Sequence, residues 1–147
     1  MTGDPYDLDR FVRAQDSGAT YAAALAELRA GTKRGHWMWF VLPQVAGLGR
    51  SETAQRYAVS GLAEARAYLR HPVLGPRLRE CADALDALDT TDPVEVLGSI
   101  DATKLRSSMT LFERAAADGT EAEPFVRVLD HFFGGRRDDA TAGILGS

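Results

Sequence analysis

The chain has 147 residues, 45% hydrophobic and 26% charged, with a net charge of −4. That is enough chain to bury roughly two-thirds of its unfolded surface without a disulfide or metal staple, and an overall balance that argues against general nucleic-acid binding through phosphate neutralisation. A single cysteine, Cys81, excludes an internal disulfide, and no apolar run approaches the roughly 20 residues of a membrane span.

In chain order, Asp7 to Gln15 opens with Leu8, Phe11 and Val12 on one helical face. Thr20 suits the cap of a second helix that carries Tyr21, Ala24, Leu25 and Leu28 and stops at Gly31. His36 to Leu42 is apolar on either periodicity, so a buried helical turn and a short strand both fit. Pro43 ends the segment in either case. Ser51 to Val59 reads as a short amphipathic segment, and Ser60 suits the cap of Gly61 to Arg70. Leu74, Leu78, Cys81, Leu85 and Leu88 then form the clearest amphipathic stripe, which predicts Cys81 as a buried structural thiol. Asp92-Pro93 starts a short helix closed by Gly98. Asp101 suits the cap of Ala102 to Ala117, with Leu105, Met109, Phe112 and Ala116 inward. Glu121 to Phe133 stops at Gly134-Gly135, and Asp138 suits the cap of a last helix. Strand signals are scarce. The reading is one all-α domain over 1–147, of about eight mostly short helices, with 1–6 and 146–147 fraying.

Two segments carry most of the unusual chemistry. From Leu28 to Ser51 there is no Asp or Glu, while Arg29, Lys33, Arg34 and Arg50 are present. Arginines outnumber lysines fifteen to two, and the two lysines, Lys33 and Lys104, fall one in each segment. Lys33, Arg34 and His36 beside an apolar block suit a phosphate or carboxylate, with Gly31 and Gly35 letting the backbone offer its own N–H groups. The same residues suit a solvated basic loop. Trp37 and Trp39, with Met38 and Phe40, suit either a hydrophobic core or the wall of a pocket, and Gln44 either a ligand edge or a turn brace. In the second segment, helical spacing gathers Lys104, Ser107 and Ser108, and Asp101 stands three residues before Lys104. A polar face lining a cleft and hydroxyls bonding between packed helices both fit. The Gly134-Gly135-Arg136-Arg137 run precedes acids that would compete with an anion, and reads as a helix start. No Walker A loop, dinucleotide fingerprint, His-Glu-x-x-His or cysteine cluster is present, so no cofactor and no metal are expected.

The runs Phe11-Val-Arg-Ala-Gln15, Lys33-Arg-Gly-His-Trp-Met-Trp-Phe-Val-Leu-Pro-Gln44, Leu69-Arg-His-Pro-Val-Leu-Gly-Pro-Arg-Leu78 and Lys104-Leu-Arg-Ser-Ser-Met-Thr-Leu-Phe112 closely resemble the bacterial family catalogued as domain of unknown function 1810. The resemblance covers nearly the whole chain in order. It implies a single multihelical domain and no activity. Members are often labelled calpastatin, which would imply a long disordered inhibitor, and this apolar-rich chain is unlike one.

The functional expectation is a pocket for an anionic small molecule, a nucleotide or phosphorylated metabolite. Lys33, Arg34 and His36 would meet Lys104, Ser107 and Ser108 there, beside Trp37 or Trp39, with Gln44 at its edge. Were it an enzyme, His36 would be the acid/base and Lys104 the charge stabiliser, in a hydrolase or transferase without a metal. The alternatives are an interaction module whose motifs are all packing, or, more weakly, a nucleic-acid-binding regulator using the 28–51 island. The sequence names no protein partner. The polar, acidic amino terminus is unlike a secretory signal, so a cytoplasmic location without membrane attachment is expected.

Overall fold

In the computed structural model, which describes residues 3–146, ten α-helices follow one another. They are α1 (Asp9–Asp16), α2 (Thr20–Ala30), α3 (Met38–Val41), α4 (Glu52–Arg56), α5 (Leu62–Arg70), α6 (Leu74–Asp86), α7 (Pro93–Leu97), α8 (Ser99–Ala115), α9 (Gly119–Phe133) and α10 (Asp139–Leu145). A 3-10 turn over Ser17–Ala19 joins α1 to α2. The fold is all-α, as expected, with more helices than the expected eight or so. The ambiguous His36–Leu42 segment resolves as one helical turn, and an isolated parallel bridge pairs Val45 with Val59. No helix of the described residues is long and apolar enough to cross a membrane.

The longest helix, α8, sits at the centre, packed by α9, α5, α7 and α10, while α6 joins α9, α2 and α5. Its 107–112 stretch is buried on every side. An aromatic column crosses the domain from α1 to α9: Phe11 against Tyr68 at 5.2 Å between ring centroids, Tyr68 against Phe112 at 5.1 Å, and Phe112 against Phe125 at 6.0 Å. The α6 stripe is buried through Leu74, Leu78, Cys81 and Leu85. Arg10 ties the amino-terminal region together by donating to the carbonyls of Tyr6, Arg56 and Ala58 and, at 2.9 Å, to the buried carboxylate of Glu64.

Several caps differ from their expected places. Asp92 and Asp138 cap α7 and α10 as predicted. Thr20 does not cap α2, because Ala19 adopts a left-handed conformation before it and Thr20 is already helical. Ser60 is not the cap of α5. Instead Glu64 reaches back to accept the Ser60 N–H at 2.9 Å. Asp101 is not a cap either, because α8 begins at Ser99, and this releases its carboxylate for other partners. Of the termini expected to fray, residues 1, 2 and 147 lie outside the described residues. Asp4 accepts the N–H groups of Leu8 and Asp9 at 2.7 and 2.8 Å and so anchors the start of α1.

Candidate functional site

Helix α2 ends where Gly31 takes a left-handed φ of 76°, which lets its N–H turn back to the last carbonyls of the helix. The chain then runs out to α7, where the Lys33 N–H donates to the Val96 carbonyl at 2.8 Å. Glu27, one turn back in α2, organises the loop that follows. Its Oε1 accepts the N–H groups of Arg34 and Gly35 at 2.7 and 2.9 Å and the Trp37 indole N–H at 2.9 Å. Burial pushes the Glu27 carboxyl up, but the Gly35 and Arg34 N–H groups, the indole and the Lys33 charge outweigh it and hold Glu27 below its ordinary value. The backbone donors expected to face a ligand therefore already hold an anion, and that anion belongs to the protein.

Lys33 points the other way. Its ammonium lies 2.9 Å from Asp101 Oδ2, donates to the Gly35 carbonyl and sits 5.2 Å from the centre of the Trp37 ring. Lys104, one turn along α8, lies 3.7 Å from Asp101 Oδ1, with its ammonium 4.9 Å over the Trp39 ring. The two lysines of the chain thus share one carboxylate, and each is set against one of its two tryptophans. Lys33 is 10% exposed, Asp101 18% and Lys104 23%, so the cluster is largely withdrawn from water. Two ammonium groups share the Asp101 carboxylate, and Lys33 also acts on the Glu27 carboxylate, which leaves Lys104 the less neutralised of the two lysines.

Two adjoining cavities open on this cluster. One, of about 340 Å³, is lined by Lys33, His36, Trp39, Ser99, Ile100 and Asp101. The other, of about 390 Å³, is lined by Gln44, Leu48, Ile100, Lys104, Ser107 and Asp138. Ile100, 73% exposed in the first turn of α8, is common to both. A larger concavity of about 680 Å³ lies between α2 and α6. One ion pair crosses it, with Arg29 3.6 Å from Glu80, and it holds none of the predicted site residues. Size alone does not make it the better candidate.

The predicted residues separate accordingly. Lys33, His36 and Trp39 reach the first cavity, and Lys104, Gln44 and Ser107 the second. Arg34 is exposed and lines neither, contributing its backbone N–H to Glu27 instead. Trp37 is sealed in the core at 1% exposure, since its indole is turned inward by Glu27. Ser108 is fully buried and its Oγ has no partner among the described residues, so it lines no cavity. The hydroxyls of α8 do not form one polar face. Ser107 and Thr110 each donate to the carbonyl four residues back, at 3.2 and 2.8 Å, because the helix is packed all round. His36 is exposed and no hydrogen bond from a described residue orients its ring. The described residues hold no hydroxyl or thiol nucleophile hydrogen-bonded to a histidine, and no cluster of three or more metal-ligating side chains.

In the Gly134–Asp139 run, Arg137 grips Glu113 with two hydrogen bonds of 2.9 and 2.7 Å, and Asp138 caps α10. That run starts α10, as expected, and Arg137 braces it against α8. Sequence reasoning missed Glu27, Ile100 and the counter-ion role of Asp101. The spacing of Asp101 and Lys104 carried a signal for the last. The absence of acids from 28–51 was the only hint of the first, since four cations beside an apolar block require charge from elsewhere.

A family model described as "Protein of unknown function (DUF1810)" matches residues 5–145. Among solved structures, the crystal structure of the conserved hypothetical protein Rv1873 from Mycobacterium tuberculosis, at 1.38 Å, is similar with 48% identity and a TM-score of 0.92. The match covers 98% of this chain and 99% of that one. No curated protein matches the chain.

Proposed function

The chain belongs to the DUF1810 family, one of unknown function, and we propose from the chemistry of its own site that it binds a small anionic molecule over the Lys33–Asp101–Lys104 cluster. The observation that carries this reading is the uneven pairing of the lysines: Asp101 is closely paired with Lys33 at 2.9 Å and only loosely with Lys104 at 3.7 Å. Lys104 is therefore the less closely paired of the two, at the edge of a cavity and over an indole face. Apolar walls lower the local dielectric and strengthen its attraction for a phosphate or carboxylate. If the bound molecule is turned over, His36 is the group to move a proton and Lys104 or Lys33 the group to stabilise charge, which suits a hydrolase or a transferase.

The test is thermal unfolding with inorganic phosphate, pyrophosphate and nucleoside monophosphates. A ligand that binds only the folded chain raises Tm in a saturable way. The wild type should respond to at least one of these anions and Lys104→Met to none. No shift with any of them, or an equal shift in Lys104→Met, would overturn the reading.

The alternative, a non-catalytic interaction module, draws on Val94 and Ile100, exposed apolar side chains on α7 and α8, and on Lys33, whose bonds are all internal. It predicts no anion-dependent shift and a protein contact that Ile100→Asp abolishes. A nucleic-acid surface on the 28–51 island has less support, since Lys33 is paired with Asp101 and Arg29 lies near Glu80.

A further inference from the structure

Resting on the anion reading above, we infer that the ligand is a nucleoside monophosphate with an amino-bearing base, its phosphate at Lys104 and its base in the cavity beside Gln44 and Asp138. The two cavities share Ile100, and Asp101 pairs with a lysine from the lining of each. The second cavity, of about 390 Å³, is lined by Lys104 as well as by Gln44 and Asp138 and lies at the low end of what small-molecule sites enclose, which suits a ligand with an anionic part and a polar ring.

The parts differ in chemistry. The first cavity is lined by Lys33, His36 and Asp101. The second is walled by Leu48, Gly49, Ile100 and Ala140, with unspent hydrogen-bonding groups at Gln44 and Asp138. The main chain of Gln44 is fixed, since its carbonyl accepts the Val59 N–H at 2.9 Å, yet its amide makes no hydrogen bond among the described residues. Asp138 Oδ2 receives both the N–H and the hydroxyl of Thr141, at 2.9 and 2.6 Å. Oδ1 has only the Arg106 guanidinium at 3.9 Å, beyond hydrogen-bond reach.

A free amide offers one donor and one acceptor side by side, the pattern that reads the amino and ring-nitrogen edge of adenine. A carboxylate oxygen with spare lone pairs takes a further N–H from an amino group. An alkyl or acyl body would leave both groups unpaired, which costs affinity. The charge balance restricts the other end. A phosphomonoester carries about two negative charges near neutral pH, already more than the partly paired Lys104 offsets, and a triphosphate would bring further charges against Asp101 and Asp138.

Isothermal titration of the full chain with adenosine monophosphate, ribose 5-phosphate and adenosine triphosphate tests this, with Gln44→Ala checked for native helicity by circular dichroism. Adenosine monophosphate should bind about tenfold or more tighter than ribose 5-phosphate, and no more weakly than the triphosphate. Gln44→Ala should bring the monophosphate and ribose 5-phosphate to within about threefold of each other. Equal binding of ribose 5-phosphate and adenosine monophosphate, or an unaltered ratio in Gln44→Ala, would overturn the assignment of the base while leaving the anion reading standing. Tighter binding of the triphosphate would overturn the single phosphate. Binding of none of the three, with phosphate and pyrophosphate also silent, removes both.

Discussion

Glu27 and Trp37 meet in a 2.9 Å hydrogen bond from the indole nitrogen to a carboxylate oxygen that also receives the N–H groups of Arg34 and Gly35. Glu27→Ala strands a buried indole donor and releases the loop that carries Lys33, at a cost of about 1–3 kcal/mol in urea unfolding. Glu27→Gln keeps an oxygen acceptor and should cost less. The folded carboxyl lies below its ordinary value of 4.5. Its contribution is therefore fully present above that value and lost as pH falls through the lower folded one. The stability gap between wild type and Glu27→Gln should be widest near neutrality and close as pH falls below about 4.

The two lysines on Asp101 should behave differently. Lys33→Met leaves a largely buried carboxylate with only a loose partner and should cost about 2–3 kcal/mol. Lys104→Met removes a longer, more exposed contact and should stay within about 1 kcal/mol of wild type. Chemical denaturation of the two variants gives the order, and a reversed order would contradict the geometry of the cluster.

Neighbouring hydroxyls of α8 give a second contrast. Ser108 Oγ is buried without a partner among the described residues, so Ser108→Ala should be neutral or stabilising by up to about 1 kcal/mol. Thr110 Oγ1 accepts the buried Asp138 N–H at 2.9 Å. Thr110→Val keeps the shape but strands that donor, and should cost about 1–2 kcal/mol by the same measurement.

Gly75, in the first turn of α6, admits no side chain. A Cβ there would stand 2.2 Å from the Leu69 carbonyl oxygen, a backbone atom that cannot swing aside. Gly75→Ala must push α5 from α6 and should cost about 2–3 kcal/mol, read as a lowered thermal midpoint.

Burial pushes the Cys81 thiol up to about 12, although a hydrogen bond with the Tyr21 hydroxyl works against it. Little thiolate exists at ordinary pH, and the sulfur is covered. Iodoacetamide at pH 8 should leave the native chain unmodified and alkylate it once denaturant is added. Rapid native alkylation would show that α6 opens readily.

The fold was legible wherever the determinant is local. Leu74, Leu78, Cys81 and Leu85 recur at helical spacing, and all are buried. Asp92 and Asp138 stand directly before the helices they cap. Legibility failed where a neighbour's backbone conformation or a distant residue decides. Asp101 read as a cap because it precedes an apolar line, whereas Gly98, at a φ of 85°, lets α8 start earlier. Ala19 in a left-handed conformation displaced Thr20 as a cap, and nothing about an alanine announces that. At the site, spacing brought Lys104 and Ser107 together but could not show that Ser108, one residue on, turns into the core. Nor could it show that the loop's N–H groups are occupied by a glutamate just outside the acid-free window.

The loop from Lys33 to Trp37 is held by Glu27 of α2, Val96 of α7 and Asp101 of α8. During synthesis its last tether is made some two-thirds of the way along the chain, so the amino-terminal helices emerge with their most basic segment still loose. Closing that long a loop carries an entropy cost that only the docking of α8 repays. The cluster therefore cannot form before α8 has docked. The exchange rate of the Lys33 amide, which is bonded to the Val96 carbonyl, would report directly on whether α7 has docked.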